Sequence, residues 1–418
     1  MKNDSKMQEQ ARSERPGVQP RPGTRKSGQQ KKLKKVISNL PATVSADTLS
    51  YLLSPAARQR MQEEWEKKPL VTAGVDLGDR KSNVCLLNQA GEMVGEFEIE
   101  TTPQGFERFF QALPKGRVGM EVGTHSPWAS RLVSQCGHEV IVANARKLSK
   151  QRIKTDKRDA RMLANKTYQQ SEELRAIHHR SEQHQKDMVV VQVRAALVQT
   201  RTKLITTARG LVKGFGERLP AGDAGTVTEQ LAGGLPDPIG DLIKPLLRQI
   251  ESINLEMELL DDKIKELVEQ YPETKEMLKI RSVGPVTALT FVLTISDPKR
   301  FDASRTVGVV LGMTPGKAQS GQLDPQLGIS KAGNGYMRGL FVQCAHLVLS
   351  KRGGDSDIRR WGIKLMGDGT NRKAKKRAVI AVARKLAVLL HKLWVSQATY
   401  EPFYYSKQQA ASKRSVAA

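Results

Sequence analysis

Asp76 and Glu121 stand where a buried strand would not ordinarily carry an acid. The apolar run Leu70-Val71-Thr72-Ala73-Gly74-Val75 delivers Asp76 at its end, followed by Leu77 and Gly78. A second run, Gly116-Arg117-Val118-Gly119-Met120-Glu121-Val122, holds Glu121 between two apolar residues. Short apolar runs bounded by turn residues read as buried strands. A carboxylate there is costly unless something neutralises it. The segment Lys154–Ala160 adds Asp156 and Asp159, three positions apart and so on one helix face. Four carboxylates from separate elements are the oxygen donors that two hard divalent cations take. A salt bridge from Arg or Lys would neutralise Asp76 or Glu121 as well, and Asp156 and Asp159 could simply pair with Lys157 and Arg158. Both readings stand at this stage.

The surrounding pattern predicts an α/β domain. LVTAGVDLG, SNVCLLNQ and EMVGEFEIE read as three strands, with turn chemistry at 78–81 and 89–92. Thr102-Pro103 opens a helix to about Ala112, and RVGMEV is a fourth strand. Ser126 caps a further helix with Pro127 at its first position. HEVIVAN is a fifth strand, and 156–180 reads as helical. Ser54-Pro55 begins an earlier helix that Pro69 ends. From Ser181 to about Phe215 there is no proline, and Val189, Val190, Val193, Ala196, Leu197, Thr200, Leu204 and Leu211 form an apolar stripe. Prolines and glycines break the pattern at 219–240. A second long helix follows over 240–270, marked by Ile250, Ile253, Leu255, Leu259, Ile264 and Leu267. The two make an antiparallel helical arm, a candidate coiled coil. Its stripe serves core packing within the chain or a dimer contact.

Charge points to a polyanionic partner. Lys and Arg number 68 against 43 acids, leaving +25, and the excess is clustered. The first forty residues hold eleven Lys/Arg and three acids with little apolar content, so they read as a disordered basic tail. The helix Asn371–Trp394 puts Lys373, Lys375, Lys376 and Arg377 ahead of an apolar half, Val379, Ile380, Val382, Leu386 and Leu389. Around Arg281, the segment Leu278–Ala288 reads as a turn between helices in the manner of a helix-hairpin-helix, whose free N–H groups suit a phosphate. LGMTP at 311–315 leads through Lys317 into a small polar loop, Ala318–Gln322. The basic, Gly-rich stretch Gly328–Arg338, with Lys331, opens a helix to about Ser350. Nucleic-acid contacts are expected from Lys154, Arg158, Arg281, Lys317, Lys331, Arg338, Lys373, Lys375, Lys376 and Arg377. Cys85, Cys136 and Cys344 are far apart in sequence, which argues against a zinc or disulfide framework and fits a reducing cytoplasm. No apolar run reaches the roughly 18–20 residues of a membrane helix, and the charged N-terminus is unlike a signal peptide.

Taken in order, GVDLGDRKSNVCLL, VGMEVGTHSPW, VANARKLSKQRIKTDKRDARMLAN, IRSVGPVTA, LGMTP, QSG and GISKAGNGYMRGL resemble the DEDD-type insertion-sequence transposases. These are related to the Piv-type DNA invertases and known as bridge-RNA-guided recombinases. The resemblance covers about residues 70–395. It implies a ribonuclease H-like, RuvC-like domain whose Asp76, Glu121, Asp156 and Asp159 bind two Mg²⁺ ions. It also implies a serine nucleophile, Ser320 in Gln319-Ser320-Gly321, with Ser330 as the rival. The implied partners are donor and target DNA, a structured guide RNA, and further copies of the chain in a dimer or tetramer.

The expected organisation is a basic tail (1–45), a helical lead-in (46–69), the RuvC-like domain (70–180), the coiled-coil arm (181–271), a mostly helical serine transposase domain (272–397) and a C-terminal tail (398–418). Two departures from the family pattern stand out. Ser282 stands where its P-G-x-G-P turn has the first glycine, and the first 70 residues are an addition to the common core. The competing functions are a Holliday-junction nuclease using the same acids with water, and a non-catalytic nucleic-acid-binding protein.

Overall fold

The computed structural model describes residues 71–144, 156–169, 174, 176–319, 325 and 327–409. The basic tail, the helical lead-in, Lys154 and Ser320 lie outside the described residues. The chain divides into two units, with the boundary between His179 and Arg180.

In the first unit, a five-stranded sheet is built from β1 (Val71–Asp76), β2 (Lys81–Leu87), β3 (Met93–Glu100), β4 (Gly116–Glu121) and β5 (Glu139–Ala143). Its order is β3-β2-β1-β4-β5. The first three strands form an antiparallel meander, while β4 and β5 run parallel to β1. Helices α1 (Pro103–Gln111) and α2 (Ser126–Gln135) supply the crossovers. Thr102 caps α1 by accepting from the Gly105 N–H at 3.1 Å. The cap of α2 differs from expectation by one residue. Ser126 is already helical, and its hydroxyl bonds back to the Gly123 N–H and carbonyl, at 3.0 and 2.8 Å.

Alternation along the strands sorts two faces. Val71, Ala73, Val75, Val84, Leu86, Val118 and Met120 join Phe106, Phe109 and Phe110 in one core. The opposite face is covered by α3 (Asp156–Gln169), where Ala160 and Ala164 meet Cys85 and Leu87. Leu163 meets Ile141 and Ala143 on the same face. This contact needs glycine. A Cβ on Gly74 would run into the backbone of Ala160 and Ala164, and one on Gly119 into the Thr167 hydroxyl. A two-point ion pair from Arg161 to Glu96 of β3 fixes the helix laterally.

The second unit begins with two long helices, α4 (Glu182–Lys213) and α5 (Ile239–Gln270), packed on one another along the arm. At one end Met188, Val191, Ile264 and Leu267 enter the main core of the unit. At the other, Ile205, Ala208 and Val212 close a separate core with Ile243, Leu247 and Ile250. Arg201 donates to Asn254 at 2.7 Å between the two ends.

The main core surrounds α7 (Pro285–Ile295), which follows the short α6 (Thr274–Leu278) and is buried at every position from Thr287 onward. A helix apolar on all sides belongs at the centre of a helical layer. Helices α8 (Val307–Val310), α9 (Gly335–Leu349), α10 (Asp357–Met366) and α11 (Arg372–Ser396) complete the unit. No expectation covered α10. The C-terminal segment is also more ordered than expected. Residues 404–409 are helical, and Asp357 accepts from the backbone N–H groups of Tyr405 and Ser406 at 2.8 and 3.1 Å.

Gly74→Ala should therefore destabilise the first unit by about 1–3 kcal/mol, the usual range for overpacking. Gly233→Ala, where an added Cβ meets nothing within 4 Å, is the matched control. Urea unfolding followed by circular dichroism should show a lower midpoint for the first variant and an unchanged one for the second.

Candidate functional site

Parallel pairing sets Asp76 and Glu121 side by side. Val75 lies opposite Met120 in the β1–β4 register, and each acid is the next residue on its strand. Both project toward the face that α3 covers, since they share parity with Gly74 and Gly119. The direction of α3 brings its own acids to the same place. Tyr168, near its C-terminal end, donates to the Gln89 carbonyl at 2.8 Å in the β2–β3 turn. That turn lies beyond the start of β1, because Leu87 pairs with Thr72. The N-terminal turn of α3, with Asp156 and Asp159, thus lies at the carboxyl end of β1.

Spacing supports this placement. Asp76 is two strand residues beyond the Gly74 crossing, about 7 Å. Asp159 is about three helix residues before the middle of the same crossing, roughly 5 Å along the axis. Asp159 is buried and Asp156 exposed, while Glu121 is half-buried. The four acids therefore share one end of one sheet face. Among the described residues, no group of three or more His, Cys, Asp or Glu side chains is drawn together closely enough to hold a metal ion. The side chains share a location without closing a coordination shell.

Sequence reasoning missed a polar pair at this end. His125, in the loop after β4, places Nε2 3.7 Å from the Asp79 carboxylate in the loop after β1. Its Nδ1 accepts from Trp128 Nε1 at 3.2 Å. Ser126 beside it contacts His179 Nε2 at 3.0 Å. The signal was present in VGTHSPW, whose histidine follows Glu121 by four residues on the same strand-end loop.

The second unit carries the serine candidates. The segments 313–316 and 328–331 form a short antiparallel ladder, with Pro315 bridged to Ile329 and Gly316 N–H donating to the Gly328 carbonyl at 2.8 Å. This ladder is the base of the loop that carries Ser320, itself outside the described residues. Ser330 sits in the ladder, where its N–H donates to the Thr314 carbonyl at 2.8 Å. Gly312 adopts φ +62°, and a Cβ on Gly333 would collide with the Val310 carbonyl. The glycines of LGMTP and KAGNG are thus what lets the ladder close. Arg338 reinforces it, donating to the carbonyls of Leu311 at 2.9 Å and Lys331 at 3.4 Å. Its guanidinium is a clamp for the loop base as well as an expected phosphate contact.

The other expected contacts lie on the surface. Arg158 is exposed on α3, as are Lys317 and Lys331 flanking the loop and Lys373, Lys375, Lys376 and Arg377 on α11. Arg281 is exposed in the turn before α7, whose cap, Gly284, makes no side-chain hydrogen bond. No described helix is long and apolar enough to cross a membrane.

An α/β unit with acids at its parallel strand ends, joined to a basic helical unit, is an arrangement suited to work on phosphodiesters. Comparison with known proteins makes the class definite. A transposase family model, DEDD_Tnp_IS110, matches residues 73–216, and a model described as "Transposase IS116/IS110/IS902 family" matches residues 275–359. Together they span more than half of the chain, which belongs to the IS110/IS116 family of insertion-sequence transposases. The chain is similar to a "Probable family 20 transposase" of Pseudomonas aeruginosa, at 27% identity over 70% of this chain and 88% of the relative. It is similar to the transposase for insertion sequence element IS1111A of Coxiella burnetii, at 26% identity over 59% of this chain and 68% of that one. The transposase for IS1328 of Yersinia enterocolitica is 25% identical over 66% of this chain and 84% of that protein.

Gly333→Ala should open the ladder and leave the main core intact. Limited trypsin digestion should then cut faster after Lys317 or Lys331 than in the parent, with the thermal midpoint of the second unit little changed. Unaltered cleavage would show that the close approach of Gly333 and Val310 does not hold the loop.

Proposed function

We propose that the chain cuts and rejoins DNA strands at the ends and target of its insertion sequence, using the carboxylates at the strand ends and a serine nucleophile. The observation that carries this reading is the placement of Asp76, Glu121, Asp156 and Asp159 at one end of one sheet face, in a family of transposases. The meander followed by parallel β-α units supports a ribonuclease H-like, RuvC-like description of the first unit.

Carboxylate oxygens are the donors that Mg²⁺ takes, and their shared location fits a divalent-cation site. Asp76, Glu121, Asp156 and Asp159 are the residues that would hold it. When bound, such cations neutralise charge on the scissile phosphate and on the leaving oxygen. Ser320 is the nucleophile we assign, with Ser330 second. Its Oγ attacks phosphorus and gives up its proton, the phosphorus–oxygen bond of the strand breaks, and the departing oxygen takes a proton. A DNA hydroxyl then attacks the phosphoserine ester, releases the serine and restores a phosphodiester. One phosphodiester is exchanged for another, so no energy cofactor is consumed. The free N–H groups at the start of α7 and the lysines of α11 supply phosphate contacts. A structured RNA encoded by the element aligns the two DNAs, and the arm assembles copies of the chain so that acids and serine of different subunits meet.

A Holliday-junction nuclease would use the same acids with water. Ser320→Ala separates the two readings. Strand exchange on element ends should fall by orders of magnitude and the covalent protein–DNA adduct should vanish, whereas full cleavage activity would favour water as the nucleophile. Persistence of the adduct, with loss in Ser330→Ala, would move the nucleophile to Ser330. Asp76→Asn should abolish exchange while leaving DNA binding largely intact. Affinity should fall steeply as salt rises, because bound lysines and arginines release counterions. A flat salt response, measured by fluorescence anisotropy, would exclude the basic surfaces as the contact.

A further inference from the structure

A groove of about 870 Å³ runs along α11 beside the base of the serine loop, wholly within the second unit. Six cations line it: Arg305, Lys317, Lys376, Arg377, Arg384 and Lys385. No Asp or Glu is among its described lining residues, and none of the six makes an ion pair with a described carboxylate. Cations on the arm behave differently. Lys244, Arg248, Lys263 and Lys265 each hold a neighbouring acid.

The floor between these cations is apolar, formed by Leu327, Ile329, Ile380 and Val388. Trp361 closes one side, with the Lys385 ammonium 4.3 Å above its ring and 5.6 Å from the ring of Tyr405. Tyr405 is itself about half exposed, at 48%. It is held in place by its backbone bond to Asp357 and by a T-shaped contact with Tyr404, the ring centroids 5.4 Å apart.

A cationic rim around an apolar floor with aromatic faces suits unpaired nucleic acid, whose phosphates and base faces are both accessible. A duplex offers its phosphates but keeps its base faces stacked inside. We propose that this groove binds an unpaired DNA strand, with Lys376, Arg377 and Lys385 on its phosphates, its bases against the apolar floor, and Tyr405, which lies outside the lining beside Lys385, stacking on a base at the rim. The proposal rests on the strand-exchange reading, because exchange is what presents an unpaired DNA strand beside the serine loop.

The test is binding of the full chain to a fluorescent single-stranded DNA of about 20 nucleotides, longer than the roughly 4–16 nucleotides a single stacking groove covers. Lys376→Glu/Arg377→Glu should weaken binding at least about tenfold and flatten the salt slope by the loss of phosphate contacts. Tyr405→Ala should weaken it at least about fivefold, the loss of one base stack. Lys351→Glu/Arg352→Glu, the same charge change on an exposed turn away from the groove, should have less than about a twofold effect. If the glutamate pair fails to fold by circular dichroism, Lys376→Gln/Arg377→Gln is measured instead.

Equal losses in the two charge pairs would overturn the proposal, and so would a duplex of the same sequence competing as well as the single strand. Tighter binding of the same sequence as RNA, through the same residues, would overturn DNA as the occupant. The two readings fail separately. Normal exchange by Asp76→Asn would defeat the catalytic assignment, while the binding comparison would still decide the groove.

Discussion

The close seating of α3 on β1 and β4 is the contact on which the first unit depends. Backbone meets backbone at Gly74, and the Thr167 hydroxyl fills the space a side chain at Gly119 would occupy. Because the helix lies so near the sheet, its first turn reaches the strand ends instead of standing a side chain's length away. Arg161 on Glu96 and Tyr168 on Gln89 fix its rotation and direction. Reversing or lifting this helix would separate Asp159 from Asp76, whatever the strands did. Catalytic potential in this unit is therefore a packing property before it is an electrostatic one.

The second unit solves a related problem with the same residue type. Gly312 and Gly333 let two chain segments approach until their backbones bond, and Arg338 ties the junction to α9. The loop that emerges is anchored on the helical core through α8 and α9 while its cationic flank faces α11. Both candidate sites thus rest on rigid elements, one at the ends of strands and the other at a ladder's edge.

Much of this was legible in the sequence. The five strands follow from period-two alternation and turn residues, and the acids stand out because apolar neighbours make them costly. The long helices of the arm were marked by the prolines between them, but much of the expected stripe is not the packed face: Val189, Val193, Leu211, Leu255 and Leu259 are exposed, while Met188, Val191, Ile205, Ala208 and Val212 pack instead. Other features were hidden for physical reasons. Whether a glycine serves a turn or a helix contact depends on what lies across from it, so Gly74 looked like an ordinary strand residue. Ser126 and Pro127 fit the preferred order of cap and first position, yet the Gly123 turn captured the serine hydroxyl and moved the helix start. Helix α10 was overlooked because Gly353, Gly354, Gly367 and Gly369 flank a short amphipathic run and read as loop. The C-terminal helical turn was read as tail because its anchor, Asp357, is nearly fifty residues away. The His125–Asp79 pair joins two loops that only the parallel β1–β4 pairing brings together.

The central claim is that the acids gathered at the end of the sheet act as one cation-binding unit. Isothermal titration of the full chain with Mn²⁺, a divalent cation that shares the oxygen-donor preference of Mg²⁺, tests it without reference to DNA. The account predicts saturable binding by the parent chain and its loss in Asp159→Asn, the variant that removes the buried acid contributed by α3. Undiminished binding by Asp159→Asn would contradict it.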